Sequence, residues 1–171
     1  MFTKSEVVIH PGRGELGVLT GARMERHCAN IVKDFARMEL AGMMLRRVNM
    51  LAEGSETARF FEIIDESLIA LDEGVSLVVV EAWFLLNVAK ASGEEVNLYR
   101  DVTGEKLVAE ARYVWDNMEK AFTLREHGEY GAEEIKLMRL AVSARLIVVA
   151  RVRDVEGRWP NILQLARSVV K

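Results

Sequence analysis

The spacing of apolar residues changes character several times along the chain, and each change predicts an element. "SEVVIH" (Ser5 to His10) and "ELGVLT" (Glu15 to Thr20) are short apolar runs separated by "PGRG", which predicts a β-hairpin ending near Thr20. From Arg23 to Leu51 the apolar positions Met24, Cys28, Ile31, Val32, Phe35 and Met38 recur at three- and four-residue steps, predicting one long helix. Arg26, Asn30, Lys33 and Arg37 then share its opposite face. Gly54 suits the C-terminal cap of that helix, and Ser55 the N-cap of the next, with acidic Glu56 in its first turn. The second helix, Glu56 to Asp72, should bury Phe60, Ile63, Ile64, Leu68 and Leu71.

Val75 to Ala91 is apolar on nearly every side, which predicts a central helix with Trp83 and Phe84 as large core fillers. Its valine run also suits a strand; its length favours the helix. Gly93 ends it. "YRDVTGEKL" reads as a tight turn between short extended pieces, forming a small insert near residues 97–108. A helical piece carrying Tyr113, Trp115 and Phe122 should follow, then a loop at "REHGEYG". A fifth helix is expected over Glu133 to Arg153, and a short last one over Asn161 to Val170, with Pro160 in its first turn. The expected architecture is mainly α: a β-hairpin over residues 1–20 and a helical bundle over 21–171, with no internal repeat.

Composition narrows the class. Half of the 171 residues are apolar, enough for a sizeable core, and two prolines and twelve glycines leave no room for a disordered linker. One cysteine suits a reducing compartment, and no cleavable leader pattern opens the chain, so a cytoplasmic, soluble protein is expected. The longest apolar run contains Glu81, Asn87 and Lys90 and is short for a membrane span. The net charge of −3 argues against general nucleic-acid affinity. Its distribution is uneven. Residues 21–50 hold six basic against three acidic groups, 51–135 seven against nineteen, and 136–171 eight against two. Two basic segments therefore flank an acidic middle.

The sequence carries little that suits catalysis. "GRGELG" (Gly12 to Gly17) fits the G-x-G-x-x-G pattern, but no helix starts within it, so a hairpin is the better reading than a dinucleotide site. The histidines, at 10, 27 and 127, are far apart, and no C-x-x-C or Glu-x-x-His pair exists, so no metal or other cofactor is expected. Cys28, on the apolar side of the first helix, reads as structural. Adjacent acidic pairs such as Asp65–Glu66 point apart on a helix and read as solvated surface. An enzyme is not expected. Binding is: Arg26, Lys33 and Arg37 suit phosphates, and Lys136 with Arg139, one turn apart, suit an acidic peptide.

The order of "GRGELGVLTGARM", "LIALDEG", "YRDVTGEKL" and "IKLMRL" resembles the RecO recombination mediators. The resemblance covers nearly the whole chain. It implies that the hairpin is the last part of an OB barrel. It also implies binding of single-stranded DNA, partnership with RecR, and docking of the acidic C-terminal tail of single-strand binding protein. Zinc-bearing members place C-x-x-C pairs near the position of "YRDVTGEKL"; here no cysteine is present, and the metal should be absent. A tail ending in an aromatic residue needs cations beside an apolar slot. Lys136 and Arg139, adjoining Ile135, Leu137 and Met138, are the first choice, with Arg37 and Arg46 second. Weak DNA-backbone contact falls to Arg26, Lys33 and Arg37. An all-helical interaction domain unrelated to DNA is the alternative. A small-molecule sensor with Trp83, Trp115 and methionines lining a pocket is a third reading.

Overall fold

The computed structural model describes residues 2–12, 16–51 and 57–170. Helices dominate, but two small antiparallel sheets interrupt them, so the molecule is not a plain bundle. β1 (Thr3–Pro11) and β2 (Gly17–His27) form the first hairpin, paired from Thr3↔His27 to Pro11↔Gly17, with irregularities at Lys4/Ser5 and Val8/Ile9. A short 3-10 turn, Ile31–Lys33, leads into α1 (Phe35–Leu51), followed by α2 (Thr57–Asp72) and α3 (Leu77–Ala91). β3 (Tyr113–Asp116) and β4 (Ala121–Leu124) make the second hairpin. α4 (Ala132–Ser143), α5 (Leu146–Val149) and α6 (Trp159–Val169) complete the chain. The expected caps Gly54 and Ser55, and part of the "GRGELG" turn, lie outside the described residues.

α3 is the centre, packing against α1, α2, α4 and α6. Its valine run is helical, and Val80, Ala82, Trp83, Phe84 and Val88 are buried. The "YRDVTGEKL" turn is as expected. Arg100 and Lys106 bridge across it, Gly104 takes φ +86°, and the Asp101 carboxylate accepts from Thr103 and from the Glu105 N–H.

Three expectations fail. The single helix from Arg23 to Leu51 does not exist: β2 runs on to His27, and α1 begins only at Phe35. Cross-strand pairing with β1 holds residues 23–27 extended, and Asp72 then takes the N–H groups of Asn30 (2.6 Å) and Ile31 (3.3 Å). Asp34 starts α1, its carboxylate accepting from the Arg37 N–H at 3.2 Å, as an N-cap does.

The helical piece around Tyr113, Trp115 and Phe122 is instead the β3–β4 hairpin, on which the Phe122 ring meets Tyr113, Trp115 and Tyr130 edge-on. Gly128 lets the following loop close onto β3, since a Cβ there would run into the backbone of Tyr113.

The fifth helix breaks at Ala144, with no glycine or proline to cause it. Side chains of other helices hold the break open. From α3, the Trp83 indole donates to the Ala144 carbonyl (3.1 Å), Asn87 to Ala141 (3.0 Å) and Lys90 to Val142 (2.9 Å). From α2, Glu66 accepts the Leu146 N–H at the start of α5 (2.8 Å). Orphan groups at both helix ends are thereby satisfied from outside the segment.

Candidate functional site

The three cations expected to share one helix face lie on three elements: Arg26 on β2, Lys33 on the 3-10 turn and Arg37 on α1. Each is engaged by a neighbouring protein group. Arg37 donates to the carbonyls of Leu71 (2.7 Å) and Val75 (3.2 Å), capping the C-terminal end of α2. Arg26 sits 2.9 Å from Asp65, and Lys33 donates to Asn30 at 2.9 Å. The common phosphate-binding face is thus corrected: β2 pairing and the cap on α2 divide these residues between structural tasks.

Asp65 is the hinge-pin of that region. It lies on α2 and binds both strands of the first hairpin, through Lys4 of β1 (3.1 Å) and Arg26 of β2 (2.9 Å). The Asp65 carboxylate holds the Lys4 ammonium pKa above its ordinary value. Beneath the pair runs a groove of about 450 Å³ lined by Phe2, Cys28, Leu45, Phe61 and Leu68, among others. Cys28 follows the hairpin rather than lying on a helix, but it is buried in the core as a structural thiol would be, and its N–H donates to the Phe2 carbonyl. Burial, seconded by the Asp72 charge, pushes its thiol up and away from the reactive thiolate.

Lys136 and Arg139 do lie one turn apart on α4, but the apolar neighbours that should make the slot are buried: Ile135 is 3% exposed, Leu137 4% and Met138 0%. Lys136 pairs with Glu133 at 2.9 Å. Arg139 donates twice to the Leu98 carbonyl (3.0 and 2.6 Å) and stacks 4.6 Å above the Tyr99 ring. Its role is to pin the insert to α4. A depression of about 90 Å³ adjoins the two cations. The apolar side of α4 faces the core because α3 and α6 pack on it.

Arg46, a second choice from sequence, has the better surroundings. It is exposed on α1 and pairs with no described residue, and its guanidinium lies over Gly42, where an added Cβ would come within 3.5 Å. A cavity of about 350 Å³ is lined by Met43, Arg46, Arg47, Asn49 and Met50. Met50 is 69% exposed, and thioethers adapt readily to an incoming side chain. Arg47 is engaged, donating to the Val170 carbonyl at 3.0 Å and tying α1 to the end of α6. The contribution of Met43 and Met50 was missed in the sequence because the apolar face of the expected long helix was traced only from Met24 to Met38.

The most conspicuous surface is the first hairpin. Val7, Val8, Ile9, Val18, Leu19 and Met24 are each at least half exposed. Among the described residues its sheet has two strands.

The sensor reading does not hold together in space. Trp83 is 4% exposed with its N–H bonded to Ala144, whereas Trp115 lies on β3 and lines a cleft against α6 that Trp83 does not enter. Among the described residues no three His, Cys, Asp or Glu side chains are grouped to hold a metal ion, and no helix is long and apolar enough to cross a membrane. No family model, curated protein or solved structure matches the chain.

Proposed function

We propose that this chain is the helical part of a RecO-like recombination mediator, acting by docking partners rather than by making or breaking bonds. The observation that carries the reading is the uncovered hairpin. Two strands alone are marginally stable in water, and apolar residues exposed along both strands call for more sheet than is present. The bulges at Lys4/Ser5 and Val8/Ile9 sharpen twist in the way barrel strands require. Both features fit the last strands of an OB barrel, as the resemblance implies.

In this reading the acidic, aromatic-ended tail of single-strand binding protein docks on the Arg46 face, not on Lys136 and Arg139. Arg46 meets a carboxylate, and Met43 with Met50 receive the ring. RecR is the second partner, in the cytoplasm. Single-stranded DNA is held weakly, through phosphates alone, and is lost between low and physiological salt.

A labelled acidic peptide ending in Phe tests this. It should bind with a Kd on the order of micromolar, roughly −8 kcal/mol. Arg46→Glu should abolish binding with no change in melting temperature, while Lys136→Glu leaves it intact. Removing the terminal Phe should weaken binding more than removing any one acid. A protein that ignores the peptide at low salt has no such docking role, and the reading then falls to an interaction domain unrelated to DNA.

A further inference from the structure

A further cavity lies between the start of α3 and the chain that runs from α5 into α6. It is about 360 Å³, and its apolar wall is made by Val78, Val79, Val149, Val152 and Val155. Its polar end is the N-terminus of α3, a helix of 15 residues. Ser76 is the N-cap, yet its side chain makes no capping bond. The first bond into the helix runs from the Val80 N–H to the Ser76 carbonyl at 3.0 Å, so the N–H groups of Leu77, Val78 and Val79 have no acceptor among the described residues. They carry the positive end of the helix dipole.

A helix end of this kind is ordinarily served by water, but a second group sets this one apart. Trp159 lines the same cavity and is 3% exposed, and its indole N–H makes no hydrogen bond with any described residue. The Trp115 indole nitrogen is also unpaired, but it is sealed from solvent; that of Trp159 is not, so an occupant of the cavity can reach it. A donor on a side chain this deeply buried is costly to leave unpaired. The one ionised group in the lining is Glu156, which is exposed on the turn before α6 and makes no ion pair with a described residue. Of the other charges nearby, Arg37 is engaged by Asp34 and by the carbonyls of Leu71, Gly74 and Val75, and Arg158 by Glu134. Glu73, Arg151, Arg153 and Asp154 are exposed on the adjoining segments and do not line the cavity.

We propose that this cavity binds a free α-amino acid with a branched aliphatic side chain. Its carboxylate accepts from the N–H groups at the start of α3 and from the Trp159 indole, its ammonium meets Glu156, and its side chain lies against the valines. The choice of a zwitterion follows from charge. A simple carboxylate satisfies the donors but brings like charge to Glu156, and an amine satisfies Glu156 alone. Water satisfies the donors but leaves the valine wall wet. At about 360 Å³ the cavity falls in the size range of small-molecule sites. This site is independent of the RecO-like reading and of the Arg46 face.

The experiment follows the backbone amides and the three indole N–H signals by ¹H–¹⁵N NMR, with Trp159 assigned by loss of one signal in Trp159→Phe. The probes are L-leucine, 4-methylpentanoate, 3-methylbutylamine and glycine. L-Leucine should shift the Trp159 indole and the amides of Leu77, Val78 and Val79 with a Kd on the order of 1 mM. The Trp115 indole should stay still, which reports that the fold is intact. Glycine should bind at least about tenfold more weakly, because it leaves the valine wall unfilled. 4-Methylpentanoate should bind about fivefold more weakly, and the amine should leave the Trp159 indole unmoved. Glu156→Gln should remove the advantage of L-leucine over 4-methylpentanoate. Three results would each overturn the proposal: no shift with L-leucine at about 20 mM, a response to the amine as strong as that to L-leucine, or a preference for L-leucine over 4-methylpentanoate that survives in Glu156→Gln.

Discussion

Valine behaves in opposite ways in two regions of this molecule. In α3, Val80 is fully buried and Val79 is 8% exposed; in β1, Val7 and Val8 are 50% and 51% exposed. The local sequences, "LVVVEAWF" and "SEVVIH", are comparably apolar. The difference is what surrounds them. α3 is enclosed by four helices, whereas the hairpin meets the body near its open end, through Asp65 on Lys4 and Arg26, Lys4 over the Phe61 ring and Phe2 against the core, and among the described residues no further strand pairs with it. Apolarity along a chain says that a surface needs cover; it does not say that the cover is present.

The sharpest way to break this comparison is to truncate on each side of it. Trp83→Ala should cost about 3–5 kcal/mol, because it empties the core and also strips a partner from the Ala144 carbonyl. A urea midpoint hardly altered by that change would mean α3 is not the centre. Gly128→Ala is next. A methyl group there meets the Tyr113 backbone, which cannot swing aside as a side chain would, so a loss of roughly 1–3 kcal/mol is expected from the same titration.

Acid offers a probe of the body alone. Burial raises the Glu134 pKa, but the Gly131 N–H and the Arg158 guanidinium outweigh it, leaving the carboxyl below its ordinary 4.5. With a lowered folded value, its contribution is fully present above 4.5 and disappears as pH falls through that lowered value. Glu134→Gln should cost about 1–2 kcal/mol at neutral pH and flatten the acid limb of a stability-against-pH curve. An unchanged limb would assign acid sensitivity to other carboxylates. The smallest effect belongs to the hairpin: Val8→Ser and Ile9→Ser should each change stability by under about 0.5 kcal/mol. Hydrogen exchange should find β1 amides far less protected than those of α3. A loss as large as that of Trp83→Ala would show that the hairpin folds as part of the body.

Much of the candidate site was legible only in part. Arg46 was visible as a cation on a helix, but the cavity it shares with Met43 and Met50 depends on where α1 begins. Asp34 signals that start in "DFAR", yet the apolar spacing runs through it without a break. Lys136 and Arg139 were correctly placed one turn apart. What surrounds them was misjudged, because the helix face that is buried depends on α3 and α6, which are distant in sequence. Lys4 and Arg26 converge on Asp65 from 61 and 39 residues away, and no local pattern announces such a meeting.

By itself the sequence determined the elements whose signals are local. α2 follows from apolar periodicity, α3 from an apolar run too long for a strand, α6 from Pro160 in its first turn, and the Asp101–Gly104 turn from side-chain chemistry that acts within a few residues. Tertiary structure decided the rest. Pairing with β1 kept residues 23–27 extended against a helical pattern, the aromatic cluster about Phe122 made strands of a segment read as helix, and four side chains from α2 and α3 divided α4 from α5. In each case the local preference between helix and strand is worth tenths of a kcal/mol per residue. Cross-chain hydrogen bonds and burial together outweigh it.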